Sequence, residues 1–146
     1  MDISFRPAVA ADEPAIRALL QEAGLPVEDL SLKRQDLLLA VQGEQVVGCA
    51  ALERHGADAL IRSYAVAPAL RRHGLGSALH ERILAHAAAC KVDTAWLLTT
   101  TAAPFFAARG FEQVDRRAAP RSVAASPEFK TLCPASAVCM RRSLAR

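Results

Sequence analysis

The chain has 146 residues, 52% of them hydrophobic and 23% charged, which suits one folded domain and excludes a disordered chain. Its formal net charge of +3 is too small to indicate nucleic-acid binding, and no apolar run approaches the roughly 20 residues that span a bilayer. The start at Met1-Asp2 also lacks the basic region of a signal peptide, so we expect a cytoplasmic, single-domain protein (residues 1–146) without nucleic-acid or membrane partners.

Hydrophobic periodicity and turn residues predict an alternation of short strands and helices. The predicted elements, in chain order, are a strand at Ile3–Pro7, a helix capped by Asp12 and ended by Gly24, a loop or short helix at Leu25–Gln35, strands at Leu37–Val41, Gln45–Glu53 and Leu60–Val66, a helix of about 16 residues from Gly74, a strand at Thr94–Thr99, a short helix at Pro104–Arg109, a strand at Phe111–Val114, a short segment at Pro127–Leu132 and a last strand at Ala137–Ser143.

The order of these elements predicts a mixed sheet. Three consecutive strands joined by tight turns form an antiparallel meander, whereas the long helix joins Leu60–Val66 to Thr94–Thr99 by a crossover that makes neighbouring strands parallel. We therefore expect an α/β fold of the α+β mixed-sheet kind. Its central sheet has six to seven mostly antiparallel strands and one parallel βαβ crossover, with helices on both faces.

Glycines and arginines mark the junction where the crossover begins. The strand ends at Val66, Pro68 interrupts it, and Arg71-Arg72-His73-Gly74-Leu75-Gly76-Ser77 opens the helix. A helix start leaves backbone N–H groups unpaired, glycines let these amides approach a phosphate, and arginines add countercharge. A Walker loop would need Gly-Lys-[Ser/Thr], and a dinucleotide fingerprint would follow the first strand of a parallel sheet. The pattern favours a pyrophosphate site, although a tight turn alone would also explain an isolated Gly-x-Gly.

The same residues resemble the signature of the GNAT family of N-acetyltransferases, Arg/Gln-x-x-Gly-x-Gly/Ala after Val-x-Pro. The segment Phe105–Phe111 is similar to the family's aromatic-x-x-x-Gly-Phe. The resemblance implies the acyl-CoA N-acyltransferase fold, acetyl-CoA as cosubstrate, a small-molecule amine as acceptor and no metal. It implies coenzyme A contacts from Tyr64, Ala65, Val66, Arg71, Arg72, His73, Gly74, Leu75, Gly76, Ser77 and Phe106.

The resemblance also defines the catalytic candidates and one departure from the family pattern. The backbone N–H of Val66 is expected to polarise the thioester carbonyl, while Ser63 and Glu53 are the side-chain candidates. Phe106 stands where the family usually has a tyrosine that protonates the departing thiolate. Either water or a hydroxyl of Ser63, Tyr64, Thr99 or Thr100 replaces it, or the protein is a non-catalytic, coenzyme A-binding regulatory domain.

For the acceptor, Arg62, Thr99, Thr100 and Arg109 are the predicted binding residues, with an ion pair to an acid as the other interpretation of Arg62. Strand alternation predicts that Arg62 and Ser63 point to opposite faces. Glu53 and His55 also suit ordinary exposed polar positions, and His80 and His86 on the long helix are expected to be solvated.

Runs around Arg62-Ser63, Thr99-Thr100-Thr101 and the tail Glu128–Ala137 resemble the small N-acetyltransferases encoded with bacterial arsenic-resistance genes. This implies an amino-acid-like arsenical as acceptor; a protein N-terminus or lysine is the alternative. Cys133 and Cys139 have no recognised ligand spacing and favour buried apolar positions. A homodimer through Ala137–Met140 is a further expectation.

Overall fold

The computed structural model describes residues 2–144. Its strands are β1 (Ile3–Pro7), β2 (Gln35–Gln42), β3 (Gln45–His55), β4 (Asp58–Val66), β5 (Thr94–Thr99), β6 (Glu112–Val114) and β7 (Val138–Ser143). Its α-helices are α1 (Glu13–Glu22), α2 (Leu75–Ala89), α3 (Ala103–Ala107) and α4 (Arg121–Ala124). Short 3₁₀ turns lie at Ala10–Asp12, Pro68–Leu70 and Arg116–Ala118, and a π-helical turn lies at Glu128–Leu132.

The strands form a seven-stranded mixed sheet in the order β1-β2-β3-β4-β5-β7-β6. β4 and β5 run parallel, with Asp58–Leu60 opposite Thr94–Trp96, whereas β1–β2, β2–β3, β5–β7 and β6–β7 are antiparallel. The predicted mixed sheet with one parallel crossover through the long helix is confirmed.

The first of two compact units contains the described residues up to Glu53 and the segment Arg62–His86. Ile16, Leu19 and Leu20 of α1 are buried against the odd-numbered residues of β2 and against β3, because a helix presents one face every three to four residues and a strand every second residue. On β3, Gly48 allows close approach of α2, since a Cβ there would lie 3.0 Å from Leu79 Cδ1.

The second unit contains Arg54–Ile61 and residues 87–144. Its core joins Leu60, Trp96, Val123, Phe129 and Cys139, and Trp96 Nε1 donates to Asp58 Oδ1 at 2.9 Å. Within it, β7 lies between β5 and β6, which leaves Cys139 3% and Met140 2% exposed. The expectation that this apolar run forms a dimer surface is therefore wrong, because these residues pack inside their own chain; a homodimer stays a prediction without an assigned surface.

The structure also decides between the two alternatives for the segment before β2 and corrects the expected role of Asp12. Residues 25–34 contain turns but neither helix nor strand, so of the two alternatives for this segment the loop is correct. Asp12 stands at the N-cap position of α1, but its carboxylate does not cap the helix. It accepts two hydrogen bonds from Arg6 and one from Val9 N, all at 2.8 Å. None of the helices among residues 2–144 is long and apolar enough to cross a membrane.

Candidate active site

The loop between β4 and α2 is an exposed strand-to-helix connection. Residues 71–74 are all exposed, and the backbone reaches the left-handed region at Arg72 (φ 69°) and Gly74 (φ 80°). Arg71 Nε donates to the carbonyl oxygen of Val66 at 3.1 Å, which ties the loop to the end of β4. In this geometry the guanidinium groups lie at the surface beside the helix start, where they can meet an anionic ligand.

The first turn of α2 provides amides of the predicted pyrophosphate site, the segment Arg71–Ser77, which we call the cradle. Ala78 N donates to Gly74 O at 3.1 Å, so the amides of Leu75 and Gly76 precede this intrahelical hydrogen bond. A Cβ added at Gly76 would meet no atom of the described residues within 4 Å, and its φ is not positive. Neither packing nor backbone conformation demands glycine there, and the open space suits close approach of a phosphate group.

The strand β4 contains a left-handed residue at its centre. Ser63 has φ 59° and is 8% exposed, an uncommon conformation for a non-glycine residue inside a strand. Its carbonyl oxygen accepts a hydrogen bond from Cys49 Sγ at 3.2 Å, and burial raises the pKa of this thiol to about 12, which keeps the donor proton in place. The irregularity interrupts the alternation of side chains along β4.

This irregularity overturns one expectation. Arg62 Nε lies 3.4 Å from Ser63 Oγ, so the two side chains meet instead of pointing to opposite faces. Alternation requires extended backbone at both residues, and Ser63 leaves that region.

Arg62 belongs to a buried group of side chains that we call the polar cluster, formed by Asp29, Gln35, Glu53, Arg62 and Ser63. The Arg62 guanidinium donates to both carboxylate oxygens of Asp29, at 2.5 and 2.6 Å, and lies 3.5 Å from Glu53 Oε1. Its side chain is 1% exposed, against 12% for Asp29 and 10% for Glu53. The ion-pair interpretation of Arg62 is therefore correct in this structure, and the pair anchors the loop before β2 to β4.

Gln35 completes the polar cluster. Its Nε2 donates to Glu53 Oε1 at 3.3 Å and to the Asp29 carbonyl oxygen at 3.2 Å. Glu53 is thus buried, and the interpretation of it as an ordinary exposed residue is wrong. Asp29 and Gln35 could not be identified from the sequence because they lie in the irregular segment before β2 and at its first residue, where periodicity gives no signal.

A second buried polar contact joins β4 to α2. Tyr64, the single tyrosine of the chain, has its hydroxyl 2.7 Å from His80 Nδ1. Burial raises the pKa of Tyr64 well above its usual value, so the hydroxyl keeps its proton. His80 is 2% exposed, and the expectation that it is solvated is wrong, whereas His86 is exposed as expected. The helix presents His80 to β4 because it lies on the same face as Leu79 and Ile83.

The aromatic segment of the second unit is packed without a hydroxyl group. Phe106 is 7% exposed, and its ring lies 5.1 Å from Phe105 and 5.7 Å from Phe111. The Arg109 guanidinium stacks 3.7 Å from the Phe105 ring and donates to the Phe105 carbonyl oxygen at 2.8 Å. Arg109 is therefore held by its own helical turn.

The remaining predicted residues make local contacts or differ from one another in exposure. Thr99 Oγ1 accepts a hydrogen bond from Ala102 N at 2.9 Å just before α3, and Thr100 is exposed. Cys139 is buried, as expected, whereas Cys133 is half-buried.

Comparison with known proteins identifies a matching family model and solved structures of similar architecture. Residues 33–113, more than half of the chain, match the family model of the acetyltransferase (GNAT) domain. Rv2747 from Mycobacterium tuberculosis, solved in complex with CoA and NLQ, is 26% identical with a TM-score of 0.80 and covers 97% of this chain and 99% of that one. A search among curated proteins gave no significant match.

Two more distant structures share the fold. N-acetylglutamate synthase from Neisseria gonorrhoeae, complexed with coenzyme A and N-acetyl-glutamate, is 23% identical with a TM-score of 0.83 over 100% of this chain but 36% of its own length, so the present chain spans about a third of it. The ribosomal-protein-S18-alanine N-acetyltransferase from Escherichia coli is 19% identical with a TM-score of 0.71, covering 99% and 96% of the two chains. Together with the family model, the sheet order and the glycine loop, these findings establish that the chain belongs to the GNAT acetyltransferase family.

Proposed function

We propose that this protein transfers the acetyl group of acetyl-CoA to the primary amine of a small, amino-acid-like acceptor. The observation that carries the proposal is the exposed cradle at the start of α2, with open space beside Gly76 and two surface arginines preceding it. Membership of the GNAT family supports N-acetyl transfer. The small-molecule complexes of the M. tuberculosis and N. gonorrhoeae structures support an acceptor of this size.

In this proposal the cradle binds the pyrophosphate of the cosubstrate. Arg71 N already donates to the Pro68 carbonyl oxygen at 3.3 Å, so the amides from Arg72 to Ser77 donate to phosphate oxygens. The side chains of Arg71 and Arg72 supply countercharge. The main chain of Tyr64, Ala65 and Val66 pairs with the extended pantetheine arm, and Phe106 is a further proposed coenzyme A contact. Acetyl-CoA, when bound, supplies an acyl thioester that a neutral amine can attack.

The backbone N–H of Val66 is the proposed donor that stabilises negative charge on the reacting carbonyl oxygen. Ala67 N donates to Val47 O of β3 at 2.8 Å. Because successive N–H groups of a strand point to opposite sides, the N–H of Val66 points away from β3. It is therefore not used by that neighbour and remains available to an oxyanion.

The acceptor is proposed to bind beside the polar cluster. Arg62 acts mainly as a positioning residue, because both of its terminal nitrogens are bonded to Asp29 and so hold the loop of residues 25–34 against β4. Ser63 and Glu53 remain the candidates for accepting a proton from the amine, and Thr99, Thr100 and Arg109 for contacting the acceptor.

Phe106 defines the second candidate function. Without a hydroxyl at this position, the departing thiolate takes its proton from water, which is feasible because a thiolate is a fair leaving group. If that step fails, the protein is a coenzyme A-binding regulatory domain. An acceptor of the arsenical class rests on the resemblance of the runs around Arg62, Thr99 and the tail. A peptide N-terminus is the other acceptor class.

The test is release of free thiol from acetyl-CoA with a panel of glutamate-like arsenicals and phosphinates, α-amino acids, polyamines and short peptides. We expect turnover with the amino-acid-like amines. Coenzyme A binding without turnover of any amine would contradict the transferase proposal and support the regulatory one, and peptide turnover alone would reassign the acceptor. The variant Phe106→Tyr is the matched probe, since it raises the rate only if protonation of the thiolate limits turnover.

A further inference from the structure

A cavity of about 490 Å³ lies within the first unit, away from the cradle. Its walls come from β1, the start of β2 and the second half of α2, and include Phe5, Asp36, Leu38, Arg82, Ile83 and His86. Sites for small ligands usually measure roughly 300–1,000 Å³. Because Arg82 follows Gly76 by six residues, the two lie roughly 9 Å apart along the helix axis. The cavity and the cradle are therefore separate places on α2.

Arg82 is the cation in the wall of this cavity that forms no ion pair with a carboxylate of residues 2–144. Its guanidinium lies over the Phe5 ring, 4.1 Å from the centroid, and no carboxylate among residues 2–144 pairs with it. Arg6 in the same wall is different, since Asp12 accepts two hydrogen bonds from it. Arg82 is exposed as well as positioned over the Phe5 ring, and an exposed guanidinium can bind a carboxylate through two hydrogen bonds.

The other charged groups of the wall already have partners. Asp36 Oδ2 lies 2.8 Å from His86 Nε2, and Asp12 neutralises Arg6. Arg6 thus has a carboxylate partner and Asp36 a histidine partner, whereas Arg82 has only the Phe5 ring among residues 2–144, so Arg82 is the cation that we assign to an anionic ligand. The remaining surface is mainly apolar.

We propose that this cavity binds a small carboxylate with an apolar body. The carboxylate oxygens accept hydrogen bonds from the edge of the Arg82 guanidinium, and the apolar body packs against Phe5, Leu38 and Ile83. Gln35 of the polar cluster also lines the cavity, but Arg82, Phe5, Leu38 and Ile83 are not among the residues proposed to contact the cosubstrate or the acceptor.

The test is an NMR titration with 3-phenylpropionate, carried out in saturating coenzyme A so that the cradle is filled. We expect millimolar binding with amide shifts concentrated in β1 and at residues 82–86. Its neutral counterpart 3-phenylpropionamide is expected to bind at least fivefold more weakly. Equal binding of the two probes, shifts confined to other regions, or the absence of binding at 20 mM would overturn the proposal.

Variants distinguish binding at this site from nonspecific binding elsewhere on the protein. Arg82→Gln is exposed and expected to fold normally, and it should weaken 3-phenylpropionate binding at least tenfold. Arg117→Gln, which removes another exposed guanidinium, in the second unit, is the matched control and should leave binding unchanged. Unaltered affinity in Arg82→Gln would refute the proposal. So would the same shifts appearing with rising protein concentration and no probe, since they would assign the cavity to a second copy of the chain.

Discussion

The cradle and the polar cluster lie in the same unit and use their polar groups in opposite ways. The cradle exposes Arg72, His73 and Gly74, so its amides and charges face outward. The polar cluster buries Arg62 and Glu53 and joins them to each other and to Asp29. The exposed region is the one that we propose to bind a ligand, whereas the buried contacts hold segments of the chain together. Substitutions should therefore separate binding from stability.

The largest expected effect is the loss of stability when the polar cluster loses its cation. Arg62→Met leaves two carboxylates, Asp29 and Glu53, buried without their countercharge. Breaking a buried ion pair in this way typically costs about 3–5 kcal/mol of unfolding free energy. Denaturant unfolding measures the loss, and coenzyme A affinity of the folded fraction should change little.

Two controls sharpen this prediction. Arg117→Met breaks an ion pair that is exposed on both sides, at 91% and 57%, and should cause little or no change. The double variant Arg62→Met/Asp29→Leu removes both charges and should recover part of the lost stability. A loss no larger than that of the Arg117 variant would show that the polar cluster does not stabilise the fold.

A smaller effect is expected where the two regions connect. Tyr64→Phe removes the hydroxyl that bonds to His80, at a cost of about 1–3 kcal/mol. Since this contact joins β4 to α2 one turn after Gly76, the KM for acetyl-CoA should rise severalfold with a smaller change in kcat. A double-mutant cycle with His80→Leu checks the pair, and strictly additive effects on stability would exclude coupling between the two residues.

The smallest effect is a pH dependence at the start of α1. The guanidinium of Arg6 and the amide of Val9 lower the pKa of Asp12 to about 2. A lowered pKa stabilises the folded state above the unfolded pKa of roughly 4, and the contribution disappears as the pH falls towards 2. Asp12→Asn should therefore be less stable than wild type at pH 6, with the difference shrinking between pH 4 and pH 2. A difference independent of pH would contradict the assignment.

Most of the fold could be predicted from the sequence, because it depends on local periodicity. Strands β1 to β5 and helix α2 were expected within a few residues of their observed bounds, and the meander followed by a crossover fixed the parallel pair. The left-handed Ser63 could not be predicted, since serine has no preference for that conformation and Asp58–Val66 contains no glycine that would mark it. Its consequence, the contact between Arg62 and Ser63, was missed with it.

The site likewise contains some residues that the sequence indicates and some contacts that only the folded chain creates. The cradle could be proposed from the sequence because its glycines and arginines are adjacent along the chain. The contacts of Glu53 and Asp29 with Arg62 and of Gln35 with Glu53 join residues 9, 33 and 18 positions apart, and the contact of Tyr64 with His80 joins residues 16 apart. Only the packing of β2, β3, β4 and α2 brings these residues together, so neither composition nor sequence spacing predicts these contacts.

The most direct test of the central claim is coenzyme A affinity in variants of Gly76, measured by calorimetry beside unfolding free energy. Gly76→Ala places a methyl group in open space, so affinity should stay within a few-fold and stability should not fall. Gly76→Glu should weaken coenzyme A binding at least 100-fold through clash and charge repulsion, with stability close to that of Gly76→Ala. Gly76→Gln separates the clash from the charge. Coenzyme A affinity unchanged in folded Gly76→Glu would contradict the assignment of the cradle.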